Sequence, residues 1–338
     1  MSETTSQSTD SGRAPTKRAR VAIAIGDPAG IGCEITLKAL ADPLIRPWCD
    51  PVVVGDRWLI ERCNQAFNLG WNVRPVHDPR QLVFDPQHLN VLDIAGRPEA
   101  DFRFGETAAI NGRALIAYVT AAVGLAQRGL VDCVIAAPQN ETSVAQAGIP
   151  FDGYSSFVAR LTDTAAEDAF LMLRSHRFRI CHATLHISLR EAIAQITQTR
   201  VFKAICATAA ATQRMGVANP RIAVSGLNPH AGEHGLFGSE EIEHIAPAIA
   251  QARASGIDAH GPWGADVMFA RETFDACVVM IHDQGHIPGK LEQGSAGFAI
   301  GTPIVFASVA HGSAHDIAGR GSADPGSLIN AIQWACGS

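Results

Sequence analysis

An α/β fold on a largely parallel sheet is what this chain predicts, on three observations. Short β-branched runs recur along it, helical stretches lie between them, and several runs end in glycine, proline, asparagine, aspartate or histidine. The first run, residues 20–25 (RVAIAI), ends in Gly26-Asp27-Pro28, and a helical stretch at 35–40 leads to the run 51–56 (PVVVGD). A polar, proline-containing region near 75–105 precedes a long alanine-rich helix expected over 106–128. Further β-like runs fall at 133–136, 178–187, 221–225, 277–281 and 304–308, with helices expected at 189–213 and 239–255. The alternation implies parallel strands, which need crossover connections. The strand ends IAIGDPAG, VIAAPQNET, ATLHIS, AVSGLNPHAG and VMIHDQGH place polar side chains where open α/β sheets bind ligands.

Composition narrows the function classes. The 338 residues are 47% hydrophobic and 18% charged, which suits a globular chain with one large core or two smaller domains. A formal net charge of -6 and an aromatic content of 6% argue against nucleic acid as a partner, leaving a small molecule. The eight cysteines, at 33, 49, 63, 133, 181, 206, 277 and 336, form no C-x-x-C pair and sit largely in apolar runs. They read as buried reduced thiols of a cytosolic protein. Residues 1–18 read as a flexible polar tail without a signal-peptide core, and no apolar run is expected to cross a membrane. A soluble cytoplasmic protein is the expectation.

Four segments could carry chemistry. His186, His230 and His282 each lie in or just after a β-like run, and three imidazoles suit a divalent metal with a position left for substrate; their wide spacing alone has no motif specificity. Gly26-Asp27-Pro28-Ala29-Gly30-Ile31-Gly32 is a strand-to-helix turn that either exposes N–H groups to an anion or is simply a tight connection; it is not G-x-G-x-x-G. Residues 311–321 (HGSAHDIAGRG) are dense in glycine and histidine, and Asp316 could accept from an adenosine ribose, favouring NAD over NADP. Residues 282–290 (HDQGHIPGK) hold two imidazoles, a carboxylate and Lys290, a candidate for proton transfer or carboxylate binding. Asp266 is a weaker candidate, with a cap or turn role as its alternative.

Together, GDPAGIGCE, AGIPFDGY, ATLHISL, GLNPHAGE, GPWGAD, HDQGHIPGK and AHGSAHDIAGRGSADPGS resemble the 4-hydroxythreonine-4-phosphate dehydrogenase (PdxA) family from about Val21 to the C-terminus. The resemblance implies a two-domain isopropylmalate dehydrogenase-like α/β fold with a largely parallel mixed sheet and an active-site cleft between domains. Residues 19–135 with 288–338 would bind NAD, and 136–287 would hold substrate, metal and the dimer contact. It implies a homodimer whose site is built near the subunit interface. His186, His230 and His282 map onto the family's metal ligands (zinc first, then manganese, cobalt, nickel or magnesium), and Lys290 onto its substrate-binding lysine. Gly26, Asp27, Gly30, Gly32, His311, Gly312, Ala314, Asp316 and Asp324 become the cofactor set, and Lys290, Asp283 and Asp266 the catalytic candidates.

Departures from the family pattern direct the substrate expectation. Tyr154-Ser155 replace a His-Thr pair, and Gly297 and Phe306 stand where an asparagine and an arginine contact substrate. Exchanging an arginine for phenylalanine removes a bidentate phosphate partner. Tyr154, Ser155, Gly297 and Phe306 then resemble the terephthalate cis-dihydrodiol dehydrogenase branch. That branch implies NAD-linked oxidation with loss of CO₂, giving protocatechuate. The alternatives are dehydrogenation of 4-hydroxythreonine 4-phosphate or a related sugar-acid phosphate, and an inactive homologue that keeps the fold.

Overall fold

A computed structural model describes residues 17–271 and 273–337, so nearly all of the expected tail lies outside the described residues. In chain order the strands are β1 (Ala19–Ala24), β2 (Cys49–Gly55), β3 (Asn72–Val76), β4 (His88–Asp93), β5 (Cys133–Ala136), β6 (Phe170–Arg174), β7 (Arg179–His182), β8 (Ile222–Ser225), β9 (Ala259–Trp263), β10 (Ala276–Val279), β11 (Ala296–Ile300) and β12 (Val305–Val309). They form one sheet in the order β3-β4-β2-β1-β5-β12-β11-β6-β7-β10-β8-β9. The helices are α1 (Gly32–Ala41), α2 (Arg57–Ala66), α3 (Ala109–Gln127), α4 (Glu141–Gln146), α5 (Tyr154–Leu161), α6 (Leu189–Gln195), α7 (Gln198–Arg214), α8 (Ala246–Ala254), α9 (Ala265–Phe269), α10 (His282–Leu291) and α11 (Gly326–Cys336).

The expected α/β class with a largely parallel mixed sheet is what forms. The ladders from β3 to β12 are all parallel, as are those joining β7, β10, β8 and β9. Between the two sets, β11 pairs antiparallel with both β12 and β6, and β6 antiparallel with β7. Three antiparallel steps reverse the strand direction, so the second set runs opposite to the first. Residues that follow β5, β7, β10 and β12 nevertheless line one site.

Burial follows the sequence runs. Val21, Ala22, Ile23 and Ala24 of β1 and all four residues of β5 are buried, as a parallel strand covered by helices on both faces requires. Helix α3 is long and apolar enough, by length and composition, to cross a membrane, contrary to the sequence expectation; half of its most apolar window is buried inside the protein. It packs on β1, β2 and β5 through residues such as Leu115, Tyr118 and Val119, so it is a core helix. All eight cysteines are free, and seven of them are buried.

The elements differ from expectation where local chemistry breaks a pattern. The single helix expected over 189–213 is two, because Thr197 caps α7 by accepting from the Arg200 N–H at 3.2 Å. The run 178–187 leaves the sheet after His182, and His186 stands in the loop beyond it. Strands β3 and β4 were hidden in the polar region; β3 is an edge strand, where Pro75 is tolerated. The segment HDQGHIPGK forms helix α10, although two glycines and Pro288 mask its period.

Candidate active site

A cleft of about 530 Å³ lies over the middle of the sheet. Its floor is made by Leu171 and Leu173 of β6, Gly297 and Ala299 of β11, and Phe306 and Ser308 of β12. These side chains share one sheet face because each strand alternates and Gly297 pairs with Ser308. The walls bring in Asn140 and Glu141 at the start of α4, Tyr154, Ser155 and Ser156 at the start of α5, His186, then His286 and Lys290 of α10, and His311 to Ser313. Of the expected residues, Tyr154, Ser155, His186, Lys290, Gly297, Phe306, His311 and Gly312 therefore meet in one place.

Not all of them offer groups to a ligand. Tyr154 is buried and its hydroxyl donates to the Ala137 carbonyl at 2.9 Å. Burial raises its pKa well above the ordinary phenol value, so it stays neutral. Phe306 is only 1% exposed and packs on Tyr154 with ring centroids 5.6 Å apart. The pair is thus a nearly closed apolar part of the cleft lining, with the tyrosine hydroxyl engaged inside the protein. Ser155 and Ser156 are partly exposed at the N-terminus of α5, where free backbone N–H groups favour an anion.

The histidines form a close group on α10 and the β7 loop. The rings of His186 and His282 are 5.7 Å apart, and His282 stacks on His286 at 3.8 Å. His186 Nδ1 lies 3.0 Å from the Asp152 carbonyl and His282 Nδ1 lies 2.7 Å from Asp283 Oδ1. Both acceptors can only accept, so each ring carries its proton on Nδ1 and keeps an Nε2 lone pair, the arrangement that orients metal-binding imidazoles. Asp283, one of the catalytic candidates, is itself engaged by that contact with His282. His230 stands apart: it is exposed in a turn of positive φ, with Glu233 and Phe237 as its neighbours. Among the described residues no group of three or more His, Cys, Asp or Glu side chains is gathered to hold a metal. The donor chemistry of His186 and His282 fits a divalent ion; the triad does not assemble within one chain.

Two further histidines belong to the site: His286, in the 282–290 segment already singled out, and His182, which the sequence reading missed. His182 is buried at the end of β7, with Nδ1 3.3 Å from the Leu171 carbonyl and Nε2 3.0 Å from His286 Nδ1. Burial, then the neighbouring His286, pushes His182 down to about 3, and burial, then His282 and Lys290, pushes His286 down to about 4. Both rings are neutral at neutral pH. Gly285 permits this contact, since a Cβ there would stand 2.4 Å from His182 Nε2. Gln284 fixes the start of the helix by accepting from the Met280 N–H at 2.9 Å and donating to the Gly226 carbonyl at 3.0 Å.

The first loop and the 311–319 loop clasp each other. Gly26, Asp27, Gly30 and Gly32 are all buried. A Cβ on Gly30 would meet Ser313, and one on Gly32 would meet the Ile25 carbonyl. These glycines allow two loops to close together and present no surface of their own to a nucleotide. Asp27 accepts from His315 Nε2 at 2.6 Å and from the Ala29 N–H at 3.1 Å. What faces outward is His311, Gly312 and Asp316, with Ala314 at positive φ in the turn. Asp324 accepts from the Gly326 N–H at 2.9 Å and starts α11, while Asp266 is exposed in the first turn of α9 and does not line the cleft.

With this geometry the comparisons agree. Residues 47–335 match the family described as pyridoxal phosphate biosynthetic protein PdxA. The chain belongs to the PdxA family. The 4-hydroxythreonine-4-phosphate dehydrogenase of Desulforapulum autotrophicum is 39% identical over 321 residues, covering 93% of this chain and 94% of the relative. The D-threonate 4-phosphate dehydrogenase of Cupriavidus necator is 38% identical over 319 residues, 93% of this chain and 95% of its own. The crystal structure of 4-hydroxythreonine-4-phosphate dehydrogenase from Klebsiella pneumoniae superposes with a TM-score of 0.83 at 36% identity, covering 95% and 100% of the two chains. The family's named members are dehydrogenases, so this PdxA-family chain is an oxidoreductase with a nucleotide cofactor.

These relatives overturn the substrate expectation. A terephthalate 1,2-cis-dihydrodiol dehydrogenase from Burkholderia xenovorans is 40% identical over 95% of this chain and 98% of its own, but superposes less closely, with a TM-score of 0.70. The curated relatives are instead named for 4-phosphorylated substrates. The physical reason for the difference is Phe306: it is almost wholly buried against Tyr154, so the missing arginine says little about which polar groups hold a ligand.

Proposed function

We propose that this PdxA-family chain oxidises a secondary alcohol of a 4-phosphorylated hydroxy acid, with NAD as hydride acceptor. The observation that carries the reading is a single cleft lined by the α5 N-terminus, Lys290 and the outward 311–313 loop. The free N–H groups of α5 with the Ser155 and Ser156 hydroxyls would take the phosphate. The exposed Asp316 would accept from a ribose hydroxyl of the nucleotide. The alcohol carbon loses its C–H electron pair as hydride to the nicotinamide, and the hydroxyl proton passes to the Lys290 amine directly or through one water. The products are a ketone, NADH and a proton.

A divalent ion would be held by Nε2 of His186 and His282, with His230 supplied by a second copy of the chain in a homodimer. When bound, it would act as a Lewis acid at the alcohol oxygen. NADH formation with 4-hydroxythreonine 4-phosphate and D-threonate 4-phosphate, each with added Zn²⁺, Mn²⁺ or Mg²⁺, tests the reading. Turnover is expected on at least one of them, with kcat/KM reduced at least about 100-fold in Lys290→Ala. Absence of NADH on both, or equal turnover of the dephosphorylated acids, rejects it.

A further inference from the structure

We propose that His286 reads a substrate hydroxyl: a relay through buried His182 fixes its Nε2 as a hydrogen-bond acceptor facing the cleft, so the site selects ligands that present a donor beside their anionic group. The direction of the relay follows from its far end. The Leu171 carbonyl can only accept, so the His182 Nδ1 3.3 Å away carries the proton. His182 Nε2 is then a lone pair, and the His286 Nδ1 at 3.0 Å must donate to it. That contact demands a proton on His286 Nδ1, which in the neutral ring leaves Nε2, on the opposite ring edge, without one.

The ring lines the cleft, and among the described residues no hydrogen bond reaches its Nε2. It is held from three sides: by His182, by the stack on His282 at 3.8 Å, and by the close approach of Gly285 to β7. An acceptor so fixed cannot rotate to become a donor without breaking the relay. Lys290 follows one helical turn later on the same wall. Their Cβ atoms at this spacing lie roughly 6 Å apart, so the wall offers an acceptor and, while Lys290 is still protonated, a cation side by side. A hydroxy acid presents the complementary pair, and a ligand lacking the hydroxyl leaves a positioned lone pair unmet.

The substrate identity rests on the dehydrogenase reading above; the tautomer does not, and the experiment separates them. Imidazole ¹⁵N spectra of the full-length wild-type protein, with His286→Phe as the assignment reference, should show His286 protonated at Nδ1 and bare at Nε2. A proton on Nε2 overturns the proposal. Calorimetry without nucleotide then compares D-threonate 4-phosphate with 4-phosphobutanoate, which lacks both hydroxyls. The wild-type protein should prefer the hydroxylated acid by roughly tenfold, the net of one hydrogen bond. In His286→Phe that preference should vanish while 4-phosphobutanoate binds as before, and His286→Gln, which keeps an acceptor, should restore part of it. Equal weakening of both acids marks a merely structural role and also overturns the proposal. If neither acid binds, the dehydrogenase reading fails and the spectra alone decide the relay.

Discussion

At the scale of single residues, the pair His315–Asp27 sets a pH dependence. The hydrogen bond to Asp27 holds the His315 imidazolium above its ordinary pKa, against partial burial, which lowers it. A raised folded-state pKa means stability that is fully present below about pH 6.5, the unfolded histidine value, and is lost as pH rises through the folded value. The thermal midpoint of wild-type protein should therefore exceed that of His315→Gln most at low pH, with the gap closing as pH rises above that window. A gap that widens towards alkaline pH contradicts the pairing. The sequence had singled out the 311–321 segment but not this residue, because its partner lies 288 positions away. His186, Lys290 and the outward loop were legible as strand-end polar residues, whereas the buried state of Tyr154 and Phe306 was not. Side-chain direction in a mixed sheet depends on register, which no local pattern states.

At the scale of elements, the seam between α10 and the sheet is the most sensitive. Gly285 faces His182, Ile180 and Val279, and Gly289 faces Leu173, with no space at either Cβ position. Gly285→Ala should destabilise the fold by about 1–3 kcal/mol through overpacking. It should also weaken substrate binding by displacing His286 from His182. Chemical denaturation together with substrate titration checks both effects, and an unchanged midpoint would show that the helix can slide. The same seam explains why α10 escaped sequence reading. Glycines chosen for close approach, and a proline tolerated inside the helix, carry turn signals in local terms. By contrast, β1 and β5 were readable because burial on both faces leaves an apolar run, and α3 because its alanine-rich length is helical in local terms.

At the scale of the whole molecule, exposed apolar side chains are unevenly spread. Among the described residues ten large apolar side chains are exposed; Leu44 and Val83 aside, the other eight, Leu189, Ile193, Leu236, Phe237, Ile242, Val267, Ile287 and Leu291, lie beyond His186 in sequence. Phe237 touches the His230 ring, with centroids 6.0 Å apart, so the histidine missing from the pair stands on an apolar surface. Such a surface suits association of two copies. Light scattering should give a dimer, and Leu236→Glu should yield a monomer that binds less metal by elemental analysis. A wild-type monomer with a full complement of metal would refute the link. The fold class was legible from alternation alone, yet the reversal of strand direction was not, since β6 and β11 look like any other short apolar run.

That reversal also governs how the cleft can open. Its two walls stand on one hydrogen-bonded floor, with β11 joined to β12 from Ala296–Val309 and to β6 as far as Ile300–Phe170. The walls therefore cannot swing on a slack connection. Widening the cleft means unwinding twist in the three central strands, which makes the floor a torsion spring whose restoring force is the ladder itself.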